Sequence, residues 1–128
     1  MYIKYNANPA GKNAGDCTIR ALCLALNQSW EETYAGVAVE GLRLYDMPSA
    51  NHVWGAYLRG KGFTREMIPD ERGEGYTVAN FCKDNPRGIY VLALSGHVVG
   101  VIDGNYYDTW DSGNEIPIYF WKKEKGGK

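Results

Sequence analysis

The segment that most constrains the fold of this chain spans residues 96–113, where two runs of β-prone residues flank the pair Asp103-Gly104. An Asp-Gly pair favours a two-residue hairpin, because both central positions of a type I′ turn need positive φ. We therefore predict a β-hairpin with strands over residues 97–102 and 105–110. This hairpin sets which side chains of the C-terminal half share a face.

The hairpin register places two chemistry-bearing side chains together. If Val101 lies opposite Tyr106, alternation puts His97 and Asp108 on the same face, close enough for a diagonal contact. A slip of one residue would put Asp111 in the place of Asp108, because side chains exchange faces with each step. Asp103 lies in the turn and is expected to face water.

A candidate nucleophile, Cys17, lies far upstream. It follows a loop over residues 6–15 that is rich in Asn, Gly and Pro, and it opens an apolar stretch with Asp16 as the predicted N-cap. A helix N-terminus lowers the pKa of a thiol, because the macrodipole and free N–H groups favour negative charge there. Cys17 would be the nucleophile, His97 its base and Asp108 the group that orients His97.

Other reactive side chains are expected to be structural. Cys23 and Cys82 lie within apolar helical stretches and are predicted core residues. His52 lies near the start of a predicted helix, where it would be exposed or capping. Asp16 and Arg20 are spaced for an ordinary i,i+4 ion pair. The functional alternative for Arg20 is a charge that steadies the thiolate or binds a substrate carboxylate.

Periodicity and capping residues predict an α+β fold in which N-terminal helices pack on a C-terminal antiparallel sheet. Ser29, Ser49 and Thr77 are predicted to begin helices after the first one, and residues 42–48 are predicted to be irregular. Predicted strands cover residues 2–5, 63–68, 89–94, 97–102, 105–110 and 116–121. We expect a single domain over residues 1–121 and a flexible basic tail over 122–128.

Composition excludes several classes of protein. With 128 residues the chain fits one domain, and a net charge of -1 argues against nucleic acid as a principal partner. No stretch approaches the about 18 apolar residues of a membrane span, and no signal peptide is indicated. Three cysteines without paired spacing predict reduced thiols rather than a disulfide framework or a zinc site. We expect a cytoplasmic protein without metal or cofactor, and the sequence does not indicate its oligomeric state.

The order Cys17, His97, Asp108 resembles that of the papain-like cysteine peptidase superfamily. The segment Asp108-Thr109-Trp110 looks like the Asn-Ser-Trp of papain-type enzymes, in which the first residue orients the His and the Trp shields their hydrogen bond. The segments Gly15-Asp16-Cys17 and Gly96-His97-Val98-Val99, with Tyr107-Asp108-Thr109-Trp110-Asp111, are also similar to a set of small proteins of bacteriophages and Gram-positive bacteria.

This resemblance implies a papain-like α+β fold and a cysteine-dependent hydrolase or acyl-transferase of peptidase, isopeptidase or deamidase type. Its substrate would be an amide or thioester on a protein or peptide in a bacterial host cell. The alternative is a non-catalytic phage-type binding protein that sequesters a host protein or small ligand on the same scaffold. A catalytically silent structural protein is a third interpretation.

The chain departs from papain-type enzymes around the predicted cleft. Their oxyanion-hole Gln falls here on Gly11, so we expect an Asn amide to serve instead, with Asn8 as first choice and Asn13 as second. The chain is too short for a second lobe, which predicts a shallow cleft. Candidate walls of this cleft are Trp54, Trp110, Tyr106 and Tyr107.

Overall fold

The computed structural model describes residues 1–68 and 75–123. These residues form four helices and six strands. In chain order they are β1 (Tyr2–Lys4), α1 (Cys17–Leu26), α2 (Trp30–Leu44), α3 (Asn51–Gly60), β2 (Phe63–Met67), α4 (Val78–Asp84), β3 (Ile89–Leu94), β4 (His97–Ile102), β5 (Asn105–Asp108) and β6 (Pro117–Lys123).

All six strands belong to one sheet, in the order β1-β5-β4-β3-β6-β2. The α+β class is confirmed. The sheet is mixed, however, and not purely antiparallel as predicted, because β1 pairs in parallel with β5. The chain between them holds four helices and three strands, which gives β1 the long connection that parallel pairing requires.

The predicted hairpin is confirmed in β4 and β5. Val101 lies opposite Tyr106, and the turn residues Asp103 and Gly104 have φ values of 50° and 79°. These are the positive φ values that a type I′ turn needs. The second strand ends at Asp108, two residues earlier than predicted. The Asp103 carboxylate also accepts a hydrogen bond from the Gly88 N–H, at 2.9 Å.

Helix boundaries follow the predicted caps in part. Ser29 and Thr77 each accept a hydrogen bond from a backbone N–H in the first turn of α2 and α4, as predicted. The residue before α3 is Ala50 rather than Ser49, and it makes no side-chain cap. Helix α2 continues to Leu44 through part of the stretch predicted to be irregular.

Alternation along the strands divides the core into two clusters. In β3, Val91 and Ala93 belong to the larger cluster, which includes buried residues of α1, α2 and α3. Leu92 and Leu94 belong to the smaller cluster, which includes buried residues of α4. The central strands are therefore covered on both faces, which explains their nearly continuous apolar sequence.

Helix α1 lies directly against β4 because the strand has no side chain at Gly100. A Cβ atom there would lie 2.6 Å from Leu24 Cδ2 and 3.3 Å from the Ala21 carbonyl oxygen. This close approach brings the N-terminus of α1, with Cys17, to the start of β4, with His97.

The C-terminal end of the described chain is strand. Lys122 and Lys123 belong to β6, so the prediction of a flexible tail is wrong for these two residues, and the rest of the predicted tail, 124–128, lies outside the described residues. None of the described helices is both long and apolar enough to cross a lipid bilayer.

Candidate active site

Cys17 and His97 meet where α1 and β4 begin. Cys17 is the first residue of α1 and is half-buried. The His97 ring and the Val98 backbone N–H are the neighbours that act on its sulfur as hydrogen-bonding groups, and both lower the pKa of the thiol. The His97 Nε2 atom lies 2.6 Å from Asp108 Oδ2, which leaves Nδ1 as the ring nitrogen available to the thiol. The imidazole therefore connects Cys17 to Asp108.

Asp108 is almost fully buried, with 1% of its surface exposed, and both its oxygens are held. Oδ2 accepts hydrogen bonds from His97 and from the Ser112 hydroxyl, the latter at 2.8 Å. Oδ1 accepts from the Thr109 backbone N–H at 2.8 Å and from Arg20 Nη2 at 3.0 Å. A carboxylate with this many donors is fixed in orientation, and it can fix the ring of His97 in turn.

The network extends from Asp108 into α1 through Arg20. Arg20 is buried, and its Nη1 donates to Asp16 Oδ1 at 2.8 Å while its Nη2 bonds Asp108. Asp16 Oδ2 accepts from Trp30 Nε1 at 2.9 Å. The predicted Asp16–Arg20 ion pair is confirmed, but Asp16 does not cap α1 with its side chain. Its carboxylate binds Arg20 and Trp30 instead.

The surroundings of Cys17 favour the thiolate. Burial by itself raises the pKa of the thiol. The hydrogen bonds from His97 and Val98, together with the positive charges of His97 and Arg20, outweigh burial and hold the pKa of Cys17 below its ordinary value. The thiolate is the nucleophilic form of cysteine, so a lowered pKa makes Cys17 more reactive at a given pH.

The pKa values of His97 and Asp108 are also shifted, each in the direction that favours the charged form. Burial alone would lower the pKa of His97, but its hydrogen bonds to Asp108 and Cys17 raise that pKa to about 9. Burial alone would raise the pKa of Asp108, whereas hydrogen bonds from His97 and Ser112 lower it. The favoured state of the three groups is therefore a thiolate, an imidazolium and a carboxylate.

The Cys17–His97 pair opens into a surface cavity of about 460 Å³. Its walls come from the loop before α1, from α1, and from the residues around β4 and β5. The lining residues are Asn13, Ala14, Gly15, Cys17, Arg20, Gly96, His97, Thr109 and Trp110. Cys17 and His97 are thus reachable from solvent.

Trp110 forms one wall of this cavity. Its ring centroid lies 5.0 Å from that of His97, and 45% of its surface is exposed. The ring contacts His97 and offers a partly exposed apolar surface at the cavity. The resemblance implies that this ring shields the His97–Asp108 hydrogen bond, which stays a prediction.

The two candidate oxyanion donors differ in position. Asn13 is exposed and lines the cavity, whereas the lining found over the described residues does not include Asn8. The Asn8 side chain instead stabilises its own loop, since its Oδ1 accepts from the backbone N–H groups of Ala10 and Lys12 at 2.9 and 3.4 Å. The structure therefore favours the second choice, Asn13, over the first.

Three predicted cleft walls are not at the cavity. Trp54 is fully buried in α3, where its ring packs edge-on against Trp121 with centroids 6.5 Å apart. Tyr106 belongs to the smaller core cluster, and the Tyr107 ring packs against Tyr5. The prediction that Trp54 lines the cleft was wrong. Helical spacing predicts which face of a helix is buried, but it does not indicate which aromatic residue of the chain reaches the surface.

The remaining candidates are structural, as expected. Cys23 and Cys82 are buried free thiols, and burial raises the pKa of Cys82 to about 11. Exposed His52 pairs with Asp46 at 2.9 Å. Asp111 accepts from the Tyr106 hydroxyl at 2.5 Å, and the structure places Asp108, not Asp111, beside His97.

Sequence reasoning missed the contacts that hold Asp108. It did not include Ser112 or Trp30, and it considered Arg20 as a partner of Asp16, of the thiolate or of a substrate carboxylate but not of Asp108. A usable signal existed for Arg20, because a charged residue between Ile19 and Ala21 in an apolar helix must be paired when it is buried. Ser112 carried no comparable signal, since its position beside Asp108 depends on the bend after β5.

Comparisons with protein-family models, curated proteins and solved structures found no match. The site must therefore be interpreted from its own geometry. Among the described residues, no three His, Cys, Asp or Glu side chains are grouped so that they could hold a metal ion. The chemistry available in the cavity is that of a thiol, an imidazole and a carboxylate joined in series.

Proposed function

We propose that this chain is a cysteine-dependent hydrolase or acyl-transferase that acts on an amide or thioester. The observation that carries this proposal is the series Cys17–His97–Asp108, in which Cys17 and His97 line an open cavity and His97 Nε2 lies 2.6 Å from the buried Asp108. A buried cysteine that only fills space needs neither an oriented imidazole nor access to solvent.

In the proposed reaction His97 already holds the proton of Cys17, and the thiolate sulfur attacks the substrate carbonyl carbon. The carbonyl π electrons move to oxygen, and the tetrahedral intermediate then collapses and expels the amine or thiol. His97 returns its proton to that leaving group. Water, deprotonated by His97, attacks the acyl–Cys17 thioester and releases the acid, and an amine in place of water gives acyl transfer.

The oxyanion of the intermediate needs preorganised donors. Cys17 is the first residue of α1, where backbone N–H groups have no acceptor within the helix. Its own N–H and the side-chain amide of Asn13, which lines the same cavity, are our candidates. Asp108 stays ionised and stabilises the imidazolium that forms.

The scaffold supports a papain-like affiliation as part of this proposal. The helix that begins with Cys17 packs on the sheet, and His97 and Asp108 lie on adjacent antiparallel strands in the same chain order as in that superfamily. The three free cysteines suit the reducing cytoplasm of a bacterial host. The cavity is open, which suits a protein or peptide segment as substrate.

The test is the pH dependence of Cys17 alkylation by iodoacetamide in a Cys23→Ala/Cys82→Ala background. Because His97 and Val98 stabilise the thiolate, we expect rapid labelling that persists below pH 7. Removal of the imidazole in His97→Ala should return the labelling rate to the profile of an ordinary thiol with a pKa of about 8.5. The labelling rate of Asp108→Asn should lie between those of the parent and of His97→Ala.

Each variant is first compared with its parent by circular dichroism and thermal unfolding, so that loss of the fold is not mistaken for loss of activation. A peptide thioester and a peptide aryl amide then serve as substrates, with Cys17→Ala as the inactive control. Labelling that follows an ordinary thiol whether or not His97 is present would refute the enzyme. It would favour the non-catalytic binding protein on the same scaffold.

A further inference from the structure

A second cleft, of about 360 Å³, lies between α3 and the strands β6 and β2. It shares no lining residue with the Cys17 cavity. Its walls include the side chains of Arg59 from α3, Arg65 from β2, and Tyr119 and Trp121 from β6. The proposed reaction uses none of them.

Both guanidinium groups at this cleft are held by aromatic rings. The Arg59 Cζ atom lies 5.1 Å from the ring centroid of Trp121, and the Arg65 Cζ atom lies 5.2 Å from that of Tyr119. Arg65 and Trp121 are also cross-strand partners, so they share one face of the sheet. A cation–π contact restrains each guanidinium group while its N–H donors stay available to another group.

Neither arginine forms an ion pair with a carboxylate of the described residues. The Asp46 carboxylate pairs with His52, which also lines the cleft. The Glu66 carboxylate pairs with Lys122. The cleft therefore presents two permanent positive charges with no counter-charge of their own among the described residues.

Trp121, one of the residues that line the cleft, carries a further N–H donor. Trp121 is 2% exposed, and its Nε1–H has no hydrogen-bond acceptor within the part of the chain that the structure describes. A buried N–H without an acceptor is uncommon in folded proteins. Arg59, Arg65 and Trp121 all donate hydrogen bonds and none accepts them, which suits a ligand made of acceptor oxygens.

We infer that this cleft binds the phosphate group of a small phosphate ester. Guanidinium forks match phosphate oxygens in pairs, and two positive charges balance a phosphate dianion. A carboxylate carries one charge and would leave one arginine uncompensated. The volume falls within the range of small-molecule sites, so it leaves room for the ester group beside the phosphate.

The test follows the indole N–H resonances of the ¹⁵N-labelled protein as phenyl phosphate is added at about pH 8, where the second proton is lost. The Trp121 resonance is assigned with Trp121→Phe. We expect it to shift saturably, and Arg59→Gln and Arg65→Gln should each weaken binding by about tenfold because each removes a charged hydrogen-bond donor.

Arg43→Gln is the matched control, because Arg43 is exposed and paired with Glu40 away from the cleft. It should leave the titration unchanged. Benzoate at equal ionic strength separates phosphate from carboxylate recognition and should bind more weakly. A shift without saturation, tighter binding of benzoate, or equal binding by Arg59→Gln, Arg65→Gln and Arg43→Gln would overturn the inference.

Discussion

Replacing Arg20 by Met tests whether the buried network holds the site together. The Arg20 side chain is 5% exposed and bridges two buried carboxylates, Asp16 at 2.8 Å and Asp108 at 3.0 Å. Met keeps an unbranched side chain but removes the charge and both contacts. The two carboxylates would then remain in the interior without the guanidinium.

The expected loss of unfolding free energy depends on the hydrogen bonds that each carboxylate retains. Removing one partner of a buried ion pair costs about 3–5 kcal/mol, because the other charge stays desolvated. Asp108 keeps its bonds to His97, Ser112 and Thr109, and Asp16 keeps its bond to Trp30. We therefore expect the lower end of that range, about 3 kcal/mol.

The assay is urea unfolding at pH 7 followed by circular dichroism, with Arg43→Met as the control. Arg43 is 64% exposed and pairs with Glu40, so its loss should cost less than about 1 kcal/mol. The loss of unfolding free energy in Arg20→Lys should lie between those of Arg20→Met and Arg43→Met. One ammonium group cannot form both ion pairs in the geometry of a guanidinium. If Arg20→Met costs no more than Arg43→Met, the network does not stabilise the fold.

The penalty should also depend on pH in one direction. The folded-state pKa of Asp108 lies below its ordinary value, so its contribution to stability is present above about pH 3.9 and is lost as pH falls. Without Arg20, Asp108 gains a proton at higher pH, and a neutral carboxyl group has less need of a cation. The difference between wild type and Arg20→Met should therefore shrink as the pH falls from 7 towards this range. A difference that grows instead would contradict the assigned charge on Asp108.

Two further predictions concern the imidazole and the approach of α1 to β4. The chain has two histidines, so NMR titration can resolve His97. We expect a pKa of about 9 for His97 in the wild type and a lower pKa in Asp108→Asn. Equal His97 pKa values in both proteins would exclude the pairing of His97 with Asp108. Gly100→Ala should destabilise the fold by about 1–3 kcal/mol, because the new methyl group meets Leu24 and a backbone carbonyl. Urea unfolding should show part of this loss recovered in Gly100→Ala/Leu24→Ala, and a fully additive double variant would contradict the close approach.

The candidate site was predictable where it depended on local chemistry. The Asp103-Gly104 turn determined the hairpin register, and that register put His97 and Asp108 on one face. Cys17 was predictable as a helix start after a glycine-rich loop. Each of these predictions depends on residues that are near neighbours in sequence or directly paired across one turn.

The predictions that failed at the site required knowledge of three-dimensional neighbours. Trp54 and Trp110 are both aromatic residues near polar segments, yet one is fully buried and the other is 45% exposed. Asn8 and Asn13 lie in the same loop, and only the path of that loop decides which one reaches the cavity. Residue type alone does not separate these pairs.

For the whole molecule, the sequence by itself determined the helices, the β4–β5 hairpin and the caps at Ser29 and Thr77, because short-range hydrogen bonds and backbone dihedral preferences specify them. Only the tertiary structure decided that β1 pairs in parallel with β5 and that Arg20 reaches Asp108, 88 residues away. Those contacts depend on how α1 packs against the sheet, since a buried charge takes whichever partner the completed core brings within reach.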